Sequence, residues 1–181
     1  MDQIQDALGM DESGPVEVWT EGDRYNPPTY EKPEGRARGE KICGAPKVLF
    51  RYPGDIVMEF GDGPGGGAIF LGEKGKIRID RGICRSEPNE ELAENAVREA
   101  RGVGGNHLQN WYDCIKSRHK PRADVETGHR STTVCHLANI ARWTGRRLVW
   151  DPVNERFTND REANQYLDRS RRKGYELPDK V

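Results

Sequence analysis

Charged residues make up 33% of the 181-residue chain against about 25% in an average domain, which points to one core with solvated arms beside it. The 29 lysines and arginines are offset by 30 acidic residues, so composition gives no reason to expect a nucleic-acid partner. No apolar run approaches the roughly 18 residues of a membrane span and no secretory leader opens the sequence. It therefore reads as a soluble, single-domain protein over 1–181 without a membrane partner. The cytoplasm is the expected compartment, with export of a longer parent left open.

MDQIQDALGM places Ile4, Ala7 and Leu8 on one helical face and stops at Gly9, which predicts the end of a helix whose natural start lies upstream. Ser13-Gly14-Pro15 turns the chain into a short strand, PVEVWTE. Residues 22–45, rich in glycine, proline and basic side chains, show no sustained period. They read either as a solvated arm or as a substrate-rim or partner-wrapping loop in which Arg36, Arg38 and Lys41 meet hydroxyl-rich or anionic groups.

From Lys47, the runs VLFRY, DIVMEF, AIFL and KIRID, separated by Gly and Pro turns, predict an antiparallel meander. Within it, Gly61, Gly63 and Gly66 spell G-x-G-x-x-G with Asp80 downstream. A pyrophosphate site needs the third glycine to open a helix, whereas here the run leads toward another strand, so no cofactor site is assigned.

Glu90 to Arg101 reads as a charged helix with Leu92, Ala96 and Val97 as a thin apolar stripe. Asn106 can cap a second helix in which Leu108, Trp111, Tyr112 and Ile115 recur at i, i+3, i+4 and i+7, a face expected to pack on the sheet. Its first turn carries His107 and Asn110, polar groups that suit either solvent and capping or contact with a substrate.

The stretch from Val125 to Asp151 has the strongest helical signal. Val134, Leu137, Ala138 and Ala141 form its apolar face, Thr127 is the expected cap and Gly145 the expected stop. Arg142, Arg146 and Arg147 lie where the helix dipole is negative, with Arg142 on the outer flank. Leu148 to Asp151 then reads as a strand, and a short helix around Glu162 to Leu167 precedes a charged tail over 168–181. The four cysteines lack close pairing and read as reduced, mostly buried thiols. The histidines lack metal-site spacing, and no serine sits in a nucleophile elbow.

The block HLQNWYDCIKSRHKPRADVETGHRSTTVCHLANIARWTGRRLVWDP, together with NPPTY, GGAIFLGEKGKIRIDRG and DQIQDALGMD, resembles the C-terminal domain of Gfo/Idh/MocA oxidoreductases, closest to their bacterial subgroup. The resemblance implies an α+β fold, an open, largely antiparallel sheet with helices packed on one face and a second subunit commonly joined to the other. It implies NAD or NADP as cofactor of the complete enzyme, held by an N-terminal domain, with no cofactor site in this chain. It also implies a sugar or polyol substrate and homo-oligomers formed through the sheet face.

In the family a lysine in a Glu-Lys-Pro motif and an Asp-x-Gly-x-His-x-x-Asp segment assist proton transfer. Asp2 aligns with the last Asp of that segment, so its catalytic Asp and His would precede Met1. Glu31-Lys32-Pro33 spells the lysine motif but follows the segment instead of preceding it. Asp6 stands where the subgroup often has Trp. The expected function is therefore the substrate-binding and assembly half of a sugar-oxidising enzyme, as a truncated or separated chain that is inactive alone. His107, Asn110, Arg36 and Arg38 are the expected substrate wall. The alternative is a non-catalytic oligomerisation or regulatory module built on the same domain.

Overall fold

A computed structural model describes residues 1–22, 46–61, 67–80, 82–100, 105–168 and 171–176. In chain order the elements are α1 (Asp2–Ala7), β1 (Glu17–Glu21), β2 (Lys47–Arg51), β3 (Val57–Phe60), β4 (Ala68–Gly72), β5 (Gly75–Asp80) and β6 (Ile83–Glu87). They continue with α2 (Glu91–Ala100), α3 (His107–Ser117), α4 (Val125–Thr144), β7 (Leu148–Asp151), β8 (Arg156–Phe157) and a 3-10 turn, Ala163–Tyr166. Among the described residues all strand pairings are antiparallel, and the fold is α+β with open sheets. The runs predicted as one meander separate into two sheets, one ordered β3-β2-β1-β7-β8 and the other β4-β5-β6. Contacts group the chain into two compact units, Ser13–Asp62 with Thr133–Val181, and Met1–Glu12 with Gly63–Thr132.

The first unit holds the five-stranded sheet. Its centre is β1, paired with β2 on one side and β7 on the other. Val18 faces both Phe50 and Leu148, and Phe50 faces Met58, so four buried side chains form one row across four strands. Strand alternation puts Val48, Tyr52 and Trp150 on the same face, and all three are buried. The second half of α4 covers it with Val134, Leu137, Ala138, Ile140 and Ala141, each at most 2% exposed. Side chains of this size, fully buried, each contribute roughly 1.5–3 kcal/mol for the larger aliphatics.

Arg142 departs from the expectation of an outer-flank residue: it is 4% exposed. Its Nε donates to the Pro46 carbonyl at 3.0 Å, and its guanidinium lies 5.4 Å from the Phe60 ring centre. The long aliphatic stem lets it cross the apolar layer while the head finds a carbonyl and an aromatic face. Tyr52, 1% exposed, has its phenol pushed up by burial and by the nearby Cys135 thiol, so it stays protonated at any physiological pH.

At its far end α4 stops where expected: Gly145 has φ 64° and donates to Ala141 O at 2.8 Å, a left-handed termination that a side chain would strain. At its start the cap is Asp124, which accepts from the Glu126 amide at 3.2 Å, not Thr127, which lies inside the helix. Arg146 and Arg147 do face solvent. Arg146 bonds Asp160 at 2.6 Å and Glu162 at 3.0 Å. Trp143 packs on Tyr166, ring centres 5.7 Å apart, so the 3-10 turn, where a short helix was expected, closes this end of the unit.

The opposite face of the five-stranded sheet carries Glu17, Trp19, Glu21, Lys47, Leu49, Arg51, Val57 and Glu59, by alternation from the buried row. Lys47 pairs with Glu21 at 3.1 Å and Glu59 at 3.3 Å. Glu17 pairs with Arg51 at 3.3 Å and with Arg147, whose guanidinium also lies 4.2 Å from the Trp19 ring centre.

In the second unit, α2 lies on the end of β6: Ser86, 3% exposed, accepts from the Ala93 amide at 3.0 Å and donates to the Asn89 carbonyl. Among the described side chains of α2 it is Ala93 that is buried, while Leu92 and Val97 of the predicted stripe are 59% and 38% exposed. The face of α1 is likewise rotated: Gln5, fully buried, donates to Met10 O at 3.0 Å. The stripe of α3 was expected to pack on the sheet, but α3 buries no residue. Leu108, Trp111, Tyr112 and Ile115 are all exposed. The cysteines also differ from the expectation of buried thiols. Cys84 and Cys114 are half-buried and Cys135 is exposed, while Cys43 lies outside the described residues.

Candidate functional site

Of the polar groups expected to meet a substrate, His107 and Asn110 are among the described residues, both in the first turn of α3. At the start of α3, Asn106 stands in an extended conformation and its side-chain oxygen accepts from the amides of Leu108 at 2.9 Å and Gln109 at 3.2 Å, a capping geometry. That cap sets the direction of the first turn and leaves the His107 side chain exposed. Asn110, one turn on, is committed differently: its Oδ1 accepts from the Arg122 amide at 3.0 Å. Its amide nitrogen lies 3.8 Å from Cys114 Sγ. Asn110 thus fastens the segment before α4 to α3, a positioning task that capping logic alone did not reveal. Its second carbonyl lone pair and its remaining N–H are what it has left to offer a ligand.

The Arg122 guanidinium lies against Gly105, where a Cβ would come within 2.9 Å of it. Next along the chain, Lys120 bonds Asp124 at 2.9 Å. The Lys120 hydrogen bond holds the Asp124 carboxyl below its usual range, and the same bond raises the Lys120 ammonium. The start of α3 thus carries the exposed His107 imidazole and the Asn110 amide, with the Arg122 guanidinium against Gly105 and Lys120 engaged by Asp124. Donors and acceptors of this kind suit hydroxyl or carboxylate groups. Arg122 and Lys120 were not singled out from sequence, because nothing in their spacing reveals that Asn110 ties their loop to α3.

Arg36 and Arg38, with Lys41 and Glu31-Lys32-Pro33, lie outside the described residues. The glycine run falls between β3 and β4, with residues 62–66 outside the described set; the element that follows it, from Ala68, is a strand. A dinucleotide fingerprint requires a helix there, so its amides can face the pyrophosphate. Among the described residues no group of three or more His, Cys, Asp or Glu side chains is arranged to hold a metal ion, and no helix is long and apolar enough to cross a membrane.

Three aspartates tie this region and the end of the other unit to pH. Asp124 is lowered by Lys120, and Asp151 is lowered by the Asn154 side chain and amide. At Asp160 burial works upward but is outweighed by the Ala163 amide and the Arg146 guanidinium, so its carboxyl is also lowered. A carboxyl depressed in the folded state adds stability above its unfolded value, about 3.9, and loses it as pH falls through the folded value. The melting temperature is expected to hold from about pH 7 to pH 5 and to drop below about pH 4. Asp124→Asn and Asp160→Asn should each flatten that drop; an unchanged profile in both would show that other carboxylates govern acid unfolding.

A family model described as the oxidoreductase family, C-terminal alpha/beta domain, matches residues 1–177. Searches of curated proteins and of solved structures returned no match.

Proposed function

Because the chain belongs to the Gfo/Idh/MocA oxidoreductase family and carries its C-terminal domain, we propose that it is the substrate-binding and assembly half of an NAD(P)-dependent enzyme acting on a sugar or polyol. The match across 1–177 is the observation that carries this reading. In a complete enzyme a bound nicotinamide would supply the hydride acceptor for oxidation of a substrate carbinol. The task of this chain is to wall and orient the polyol. Neutral sugars are held by closely spaced planar donors and acceptors, and His107, with what remains of the Asn110 amide, supplies them at the start of α3. Assembly falls to the face of the five-stranded sheet opposite α4, where Trp19 and Val57 lie among the paired charges of Glu17, Arg51 and Lys47.

Two measurements test this. Expressed as its 181 residues, the chain should give no saturable heat with NAD(H) or NADP(H) and no absorbance change at 340 nm across a panel of sugars and polyols. Fused behind the nicotinamide-binding domain of another family member, it should oxidise at least one of them. In that fusion His107→Ala should raise KM roughly tenfold, the loss of about 1.4 kcal/mol of substrate binding. Saturable cofactor binding by the unfused chain that vanishes on Gly63→Ala would restore the glycine run as a site and overturn the reading.

A further inference from the structure

We propose that β4 is a homotypic docking edge, through which two copies of the chain pair their β4 strands antiparallel about a twofold axis at Phe70. The three-stranded sheet is ordered β4-β5-β6, so among the described residues β4 has a ladder partner on one side only. Its register fixes which backbone groups point the other way. Gly72 pairs with Gly75 across a two-residue turn, and the closing pair of such a hairpin is hydrogen-bonded. Alternation then directs Ala68, Phe70 and Gly72 toward β5, and leaves the N–H and C=O of Ile69 and Leu71 directed to the outer edge. These same two residues carry side chains 48% and 80% exposed, both on one face of the sheet.

An antiparallel copy centred on Phe70 answers both features at once. Ile69 of each copy then stands opposite Leu71 of the other in a hydrogen-bonded pair, giving four backbone bonds and one cluster of four aliphatic side chains. Phe70 meets its counterpart on the opposite face. The two edges of the sheet are not equivalent in this respect. β6 carries Arg85 and Glu87 and has α2 seated on its end through Ser86, whereas Ala-Ile-Phe-Leu-Gly of β4 has no charge or proline to deter pairing. A foreign strand with Lys or Glu opposite Ile69 or Leu71 would lose hydration without a partner, while a second β4 is neutral at every facing position. A ladder of this length buries less than the ~1,200 Å² of a standard interface, so the contact is weak and reversible. It is independent of the five-stranded sheet face proposed for assembly above.

Sedimentation velocity from about 10 µM to 1 mM should show reversible association in the 181-residue protein. Leu71→Glu should weaken it at least tenfold without loss of folding, because residue 71 is exposed and faces Lys76 across the hairpin. The register has its own test. Mixing Ile69→Cys with Leu71→Cys under mild oxidation should give the mixed disulfide dimer severalfold over either homodimer by intact mass. Residues 69 and 71 face each other across the axis, whereas identical positions lie diagonally, too far apart to bridge. Absence of association up to 1 mM, association that Leu71→Glu leaves unchanged, or cross-links in statistical proportion would each overturn the proposal. A dimer that persists in Leu71→Glu without the preferred cross-link assigns self-association to another surface.

Discussion

Leu137→Ala is expected to destabilise the protein by about 2–5 kcal/mol, and Arg142→Ala by about 2–4 kcal/mol. Leu137 is fully buried in the layer between α4 and the row Met58, Phe50, Val18 and Leu148. Removing its isobutyl group leaves a cavity that a helix anchored at both ends closes poorly: Asp124 caps the start and Gly145 fixes the stop. Arg142 fails by another route. Its truncation removes a charge-assisted bond to the Pro46 carbonyl and the contact of its guanidinium with the Phe60 ring. Arg142→Lys keeps the charge but not the planar donor geometry, and should recover only part of the loss. Arg146, equally charged but about 41% exposed on its side chain, sets the scale for a surface pair, and Arg146→Ala should cost about 1 kcal/mol or less. Chemical denaturation of the four variants decides the matter. Equal midpoints for Arg142→Ala and Arg146→Ala would show that Arg142 belongs to the outer flank after all.

That comparison marks where the sequence was legible and where it was not. The helix period of α4 named its buried residues correctly, because a 20-residue helix with Val134, Leu137, Ala138 and Ala141 on one stripe has one face to bury. The same period cannot distinguish an arginine that points to water from one long enough to thread across the core, since the difference lies in a carbonyl 96 residues away in sequence. In α3 the period is just as clean, yet Leu108, Trp111, Tyr112 and Ile115 are exposed. A stripe reports that a helix has an apolar face, not that this chain supplies the cover. The division into two sheets was hidden because turn chemistry marks where strands end, while non-adjacent partners such as β1 and β7 leave no local signal. β6 and β8 were missed for want of alternation: Ile-Cys-Arg-Ser-Glu is mostly polar, and β8 is two residues long. At the candidate site, the Asn106 cap and the exposure of His107 followed from residue type and position. The use of Asn110 to hold Arg122 depends on a bond twelve residues long in sequence, which no motif encodes.

Gly75→Ala is expected to abolish the β5–β6 register or to destabilise its unit by more than about 3 kcal/mol. Gly75 opens β5 with φ 146°, a conformation that L side chains rarely adopt. A Cβ there would lie 2.1 Å from the Glu87 carbonyl oxygen and 3.1 Å from Pro88 Cδ. Both obstacles belong to the backbone or to a rigid ring, so neither gives way by rotating a side chain. Relief requires β5 and β6 to part where Lys76 and Glu87 face each other and form an ion pair at 2.7 Å. Gly72, its partner across the turn, is the internal control: a Cβ there meets nothing nearer than Gly75 O at 3.8 Å. Gly72→Ala should therefore change stability by less than about 1 kcal/mol, and can gain slightly from a stiffer unfolded chain. Hydrogen exchange resolved by strand separates the outcomes. In Gly75→Ala, protection should be lost across β4, β5 and β6 while the β1–β2 ladder keeps its own. Loss of the β4 hairpin should also remove the concentration-dependent association attributed to its outer edge, since Ile69 and Leu71 present their backbone groups outward only while β5 holds the strand in register. Intact protection in β5 of Gly75→Ala would mean that the turn relaxes without parting the strands, and that the close approach to Glu87 is not what holds this sheet together.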